Sequence, residues 1–242
     1  MKFLKSIIAL LLLPALFAAG HFLCRVIWLH AGQWEKIPWT NLGSFAIGFS
    51  AMTCVYFTLP RWNWLYVFGH ESTHALAVLM SGGRVSEFKV SSGGGHVATD
   101  KMSAWIALSP YIVPFYPLMV GLLWFVARWI WPAPLATWEW AFIMFWGLCW
   151  AFHLCFTASL LKTDQPDFAS QGYFFSIVVI LLCNLLIVGV LLWIWLEPGS
   201  WRQGGRELWG CFSQSYLFCA GQLRQLYKLA FSSLSCIVIS FD

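Results

Sequence analysis

The chain has 242 residues, of which 60% are hydrophobic, 19% aromatic and only 10% charged. This composition excludes an ordinary soluble globular domain and predicts an integral membrane protein. The net charge of +4 is small and spread along the chain, so it indicates ordinary contact with anionic lipid and argues against a nucleic-acid surface.

Apolar runs recur along the chain, each close to or above the roughly 18 residues that a helix needs to cross a bilayer. They lie at residues 7–28, 42–59, 64–80, 104–129, 138–161 and 174–196. Pro110, Pro114 and Pro117 interrupt the fourth run and predict either packing kinks or a water-lined notch. The fold class is therefore an all-α polytopic membrane protein with about six transmembrane helices, in one integral membrane domain over residues 1–242.

The N-terminal segment has the pattern of a secretory signal. Lys2 and Lys5 precede an apolar stretch at residues 7–17, and small residues follow at 18–20. Because apolar residues continue to Trp28, we expect a first helix that is retained rather than cleaved. Positive charges fall on both sides of a six-helix arrangement, so they assign no orientation.

The third run carries the residues His70-Glu71-Ser72-Thr73-His74, inside the apolar stretch 62–80. Helical residues four apart share a face, so both imidazoles can bind one Zn2+ while Glu71 acts on a water as general base. Placing these ionisable groups in hydrocarbon costs on the order of several kcal/mol unless a metal, a partner or water compensates. Histidines that only hydrogen-bond to neighbours are the simpler alternative, but the clustering favours a zinc site.

Glycines interrupt the chain directly after this helix. Gly82-Gly83 end it, residues 84–90 resemble a short strand, residues 91–95 form a glycine-rich turn, and residues 96–99 can pair back. A small β-hairpin beside the metal site and a flexible glycine linker both fit this spacing. His96 is expected to be solvated rather than to bind metal.

A second polar island, residues 162–172, separates the fifth and sixth runs and holds Asp164 and Asp167. A carboxylate here can complete a zinc site of three protein ligands with one position left open. Two acids in an interhelical turn are otherwise usually solvated. The motifs thus occupy a core at residues 62–196, and residues 197–242 form an amphipathic tail with an interfacial helix around 209–229.

Taken together, these motifs resemble the site-2 protease family of intramembrane zinc metalloproteases, in particular its divergent bacterial members. The resemblance is carried by residues 68–76 around the two histidines, by Gly82-Gly83-Arg84-Val85, by Gly94-Gly95-His96-Val97, and by the island of Pro166, Asp167 and Gly172. It covers about residues 62–184, and the histidine motif is its specific part.

The resemblance implies a third zinc ligand in the polar island. A strict transfer of the family's register places Gln171 at the ligand position, but a neutral glutamine is a poor zinc ligand. Asp167, one helical turn earlier, offers a charged oxygen, so His70, His74 and Asp167 are the expected ligands, with Asp164 as second choice. Glu71 is the expected catalytic base.

What the resemblance implies for function is cleavage of a membrane-protein substrate within or near its transmembrane helix, in the lipid bilayer of a bacterial inner membrane. The substrate helix must unwind to expose its peptide bonds, and pairing with the segment 84–99 would help. Neither the substrate's identity nor the oligomeric state is indicated.

Two alternatives remain open at this point. A different intramembrane zinc protease would take its third ligand from a downstream glutamate, for which Glu139, Glu197 and Glu207 are available. A non-catalytic relative would bind zinc or a partner's helix through the same cavity.

Overall fold

The computed structural model describes residues 2–30, 35, 37–59, 63–196 and 200–239. The chain is mostly helical, with one small sheet. Its elements are α1 (Lys2–His30), α2 (Trp39–Thr58), α3 (Asn63–Met80), β1 (Val85–Ser91), β2 (Gly94–Thr99), α4 (Ala104–Ile112), α5 (Phe115–Ile130), α6 (Pro132–Ala136), α7 (Glu139–Leu160), α8 (Pro166–Gln171), α9 (Tyr173–Leu196) and α10 (Trp201–Ile239). The expectation of a helical protein with a small hairpin is confirmed.

Several helices indicate a membrane protein. Within the described ranges, α1, α7 and α9 are each long and apolar enough to cross a bilayer, while α2 with α3 and α4 with α5 satisfy that test only as bent pairs. The count is therefore between three and five, and six separate spans stay a prediction. The fourth run is two helices that meet at 69°, because the Pro114 ring disfavours a helical conformation at Val113 and supplies no N–H.

The chain divides into two compact units. The first comprises Phe3–Lys36 and Leu181–Asp242. Here α1, the later part of α9 and α10 share a buried cluster of Ala18, Phe22, Val26, Trp193 and Cys211. The predicted tail helix is longer than expected, since α10 begins at Trp201, and its location at the membrane interface stays a prediction.

The second unit, Ile37–Ile180, contains the residues of the histidine motif and the polar island. Its α2 and α7 pack closely because Gly48 of α2 lies against the backbone of Met144, and Gly147 of α7 lies against the backbone of Phe45. Small residues permit such close approach between helices in membranes. A buried aromatic cluster that includes Tyr56, Phe152 and Phe156 extends this interface toward α3.

The glycine-rich segment after α3 is a β-hairpin rather than a linker. Gly82, at φ +67°, ends α3 in the left-handed conformation that glycine adopts without strain. Strands β1 and β2 are antiparallel, with Lys89 opposite His96. The hairpin is fastened at its base, where the Asp100 carboxylate accepts a hydrogen bond from the Arg84 backbone N–H at 2.7 Å.

Candidate metal centre

Helix α3 brings His70 and His74 together as the four-residue spacing requires. Their ring centroids lie 4.8 Å apart, and their side chains are only 11% and 12% exposed. Gly69 lets the helix approach the ring of Tyr116, since a Cβ at this position would lie 2.8 Å from that ring. The two imidazoles are therefore held in a tightly packed helix, on one face.

Asp167 reaches both histidines from a separate element. Pro166 occupies the first turn of the short helix α8, where its missing N–H costs nothing, and Asp167 follows directly. The Oδ2 atom of Asp167 lies 3.5 Å from Nε2 of His70 and 3.5 Å from Nε2 of His74. One ligand atom from each of the three residues lies within 4.8 Å of the others, and no other such group occurs among the described residues.

The remaining nitrogens of both rings have partners that orient them. Nδ1 of His74 lies 2.8 Å from the backbone carbonyl of Ile106, which can only accept, so this nitrogen carries the proton. In a neutral ring with this tautomer, Nε2 would carry the lone pair that a metal ion can bind. Nδ1 of His70 lies 2.7 Å from the hydroxyl of Tyr66, one turn earlier on the same helix. Partners of this kind fix ring orientation in metal sites.

The carboxylate of Asp167 is held in its charged form. Burial alone would raise its pKa, but hydrogen bonds with His70 and His74 outweigh burial and hold the pKa well below its usual range. Its Oδ2 also accepts a hydrogen bond from the Tyr111 hydroxyl at 2.9 Å. The site thus presents a carboxylate, rather than a carboxylic acid, to the two imidazoles.

Glu71 lies beside the histidines, is buried, and lines a cavity of about 310 Å3 that all three clustered residues share. The hairpin forms one wall of this cavity through Gly95 and Val97 of β2. A Cβ on Gly95 would lie 2.7 Å from Cγ of Glu71, so only glycine allows the strand to approach this closely. Ile106 of α4 also lines the cavity.

The donor set fits a zinc ion. Two imidazole nitrogens and one carboxylate oxygen are a ligand combination found in catalytic zinc sites, where the fourth position stays open. Ligand atoms about 2.0–2.1 Å from a tetrahedral zinc lie roughly 3.3 Å from one another. The 3.5 Å separations between Asp167 and the two histidines are close to that value.

Other proposed third ligands lie in different surroundings. Asp164 is exposed and accepts a hydrogen bond from the Tyr173 hydroxyl at 3.1 Å. Gln171 is buried, but its amide nitrogen donates to Ser170 at 2.9 Å and it does not line the cavity. The four-residue register shift from Gln171 to Asp167 therefore places the charged residue at the histidines.

Among the described residues, the group that could hold a metal comprises His70, His74 and Asp167, and neither Glu139 nor Glu207 belongs to it. Glu139 is the first residue of α7. Glu207 pairs with Arg25 at 3.0 Å inside the first unit, and Glu197 lies outside the described residues. His96 is half exposed and lies 3.0 Å from Glu87, in agreement with a solvated role.

Sequence reasoning missed the residues that orient the ligands. Tyr66 carries a signal that a helical-face argument could use, since it lies four residues before His70. Ile106 and Tyr111 carry no such signal, because α4 is distant in sequence from His70 and Asp167 and comes close to them only in the folded chain.

The sequence matches no protein-family model, and no curated protein or solved structure is found to be similar to the chain. Function is therefore inferred from the centre formed by His70, His74, Asp167 and Glu71.

Proposed function

We propose that the chain is an intramembrane zinc metalloendopeptidase. One observation carries the proposal: His70, His74 and Asp167 converge beside buried Glu71 at a cavity, on a helix of an apolar segment. Buried ionisable groups at this density in a membrane protein are costly unless they serve a site. Resemblance to bacterial site-2 proteases supports a multi-pass arrangement of about six spans in a bacterial inner membrane.

His70, His74 and Asp167 would hold the zinc ion through Nε2, Nε2 and Oδ2. A bound zinc ion supplies a Lewis acid that polarises a carbonyl and acidifies water. Glu71 accepts the proton of the attacking water and passes it to the leaving amine, which is the role of a general base and then a general acid. The Ile106 carbonyl and the Tyr66 hydroxyl keep both imidazoles oriented throughout.

The residues that line the cavity support a proposal for the substrate class. A transmembrane helix must unwind before its carbonyls become reactive, since they are engaged in internal hydrogen bonds. Strand β2 lines the cavity with Gly95 and Val97, so its backbone is available to pair with an unwound, extended substrate segment. The proposed substrate is therefore a membrane protein that presents a helix with a local break.

Metal content tests the binding half of the proposal. The purified chain is expected to hold one zinc ion, and Asp167→Ala is expected to lose most of it. Asp164→Ala is the matched control, because it removes an aspartate of the same loop that contacts Tyr173 instead. Zinc retained in Asp167→Ala but lost in Asp164→Ala or Glu139→Ala would refute the assigned ligand set.

Glu71→Gln tests the catalytic half. The variant keeps the shape of the side chain but cannot accept a proton, so zinc content is expected to stay constant while cleavage of a co-expressed membrane substrate is lost. Trapping partners with this variant would identify the substrate. Unchanged cleavage would refute the mechanism, and zinc binding without any cleavage by the unmodified chain would favour a non-catalytic zinc-binding protein.

A further inference from the structure

The ligand oxygen of Asp167 has a second partner besides the histidines. The hydroxyl of Tyr111 donates to Oδ2 at 2.9 Å, and this is the oxygen that lies 3.5 Å from both imidazole nitrogens. Tyr111 is only 1% exposed, and its ring meets that of His70 edge-on at 5.2 Å between centroids. A buried, fixed donor is thus directed at the atom that would bind the metal.

We propose that Tyr111 is a positioning residue that holds Oδ2 of Asp167 toward the metal. The inference rests on the proposed zinc site and adds a residue to it. A hydrogen bond to the ligating oxygen fixes the carboxylate plane, and second partners of metal ligands commonly control affinity in this way.

The Asp167 carboxylate needs a fixed hydrogen-bond donor because the helix that carries it, α8, has little stability of its own. Helix α8 has only six residues, and the Asp167 side chain is 25% exposed. A helix this short contributes little stability of its own. Without a fixed donor, the carboxylate would be free to rotate away from the two rings.

Helix α4 provides that fixed donor because it is buried along most of its length. Ring contact between Tyr111 and fully buried Phe168, at 4.6 Å between centroids, joins α4 to α8 next to Asp167. The same helix supplies the Ile106 carbonyl to His74. One rigid helix therefore orients ligands from two other elements, α3 and α8.

Zinc affinity of the full-length purified chain tests this role, measured by competition with a chelator of known affinity. Tyr111→Phe is expected to bind zinc about 10- to 100-fold more weakly, because the loss of a hydrogen bond to a metal ligand typically weakens metal binding by this factor. Tyr56→Phe is the matched control: Tyr56 is also buried and its hydroxyl also donates to a side chain, Ser159, at 2.7 Å. Its zinc affinity is expected to stay within about twofold of the original, because that hydrogen bond touches no ligand.

A double-mutant cycle separates positioning from general structural support. If Tyr111 acts through Asp167, Tyr111→Phe will weaken zinc binding in the original chain but add nothing in an Asp167→Ala background. An equal loss in both backgrounds, or no loss in either, would overturn the role of Tyr111. If the original chain binds no zinc, or Asp167→Ala binds it equally well, the zinc site itself fails, and the cycle distinguishes that result from failure of Tyr111 alone.

If Tyr111→Phe does not fold, a label that keeps the tyrosine hydroxyl at position 111 can test the same role. Fluorotyrosine placed at position 111 is expected to show a 19F resonance that shifts with added zinc and saturates at one equivalent. The same label at position 56 is expected to remain unshifted. A position-111 resonance that ignores zinc, in a chain that binds it, would overturn the proposal.

Discussion

Replacing Gly95 with alanine should weaken the contact between the hairpin and α3. An added Cβ would lie 2.6 Å from the Lys89 carbonyl oxygen, 2.7 Å from Cγ of Glu71 and 2.8 Å from Cγ1 of Val67. One of these atoms belongs to the backbone of the paired strand, so it cannot rotate away. Strand β2 must therefore shift relative to both β1 and α3.

The size of the effect follows from these contacts. Overpacking by one methyl group typically costs about 1–3 kcal/mol, which corresponds to a local opening constant raised about 5- to 150-fold. The cost falls on the hairpin, because the clashing groups join β2 to β1 and to α3. The proposed metal ligands His70, His74 and Asp167 lie outside the hairpin, so zinc content should not change.

Hydrogen exchange of the amides of residues 94–99 measures the opening directly. Amide exchange in Gly95→Ala is expected to accelerate about 5- to 150-fold. Zinc content should stay constant, and substrate cleavage should fall. Gly93→Ala is the matched control, since its Cβ would meet only Ser91 Oγ, at 3.9 Å. Equal exchange rates in the two variants would refute the close contact between the hairpin and Glu71.

Three further outcomes are expected. Gly48→Ala should lower the unfolding temperature, because its Cβ would overlap the backbone of α7, whereas Gly43→Ala, which meets nothing within 4 Å, should not. Hydrogen bonds from Lys89 and His96 lower the pKa of Glu87. The ionised carboxylate therefore stabilises the hairpin fully above the usual glutamate pKa of about 4.3. The protection of the β1 and β2 amides from exchange should fall as the pH drops through the lowered pKa of Glu87, whereas in Glu87→Gln this pH-dependent loss should be absent. Removing zinc with a chelator should lower the unfolding temperature reversibly, since ligand at 100 times its Kd stabilises by about 2.7 kcal/mol.

The local parts of the site were predictable from sequence, and the parts built from distant segments were not. His70 and His74 share a face because helical geometry acts over four residues. Charge and the resemblance favour Asp167 over Gln171 as a ligand, but only the fold shows that α8 carries Asp167 to the histidines. Tyr111 left no trace in the pattern, because a single buried tyrosine looks like any other core residue.

Hydropathy alone locates apolar runs but does not show how each run crosses the bilayer. The fourth run, predicted as one span, is two helices that meet at 69°. The described residues contain three to five candidate spans, and six separate spans stay a prediction. The glycine-rich turn fits a hairpin and a flexible linker equally well, and the structure shows the hairpin. Its contact with Glu71 depends on the missing side chain of Gly95, which composition alone does not reveal.

X-ray absorption at the zinc edge of the purified chain tests the central claim most directly. We expect one zinc ion per chain with only nitrogen and oxygen neighbours at about 2.0–2.2 Å, including the signature of two imidazoles. The eight cysteines of the chain make sulfur ligation a real competitor. Sulfur neighbours at about 2.3 Å, or a spectrum that Asp167→Ala leaves unchanged, would contradict the zinc centre of His70, His74 and Asp167.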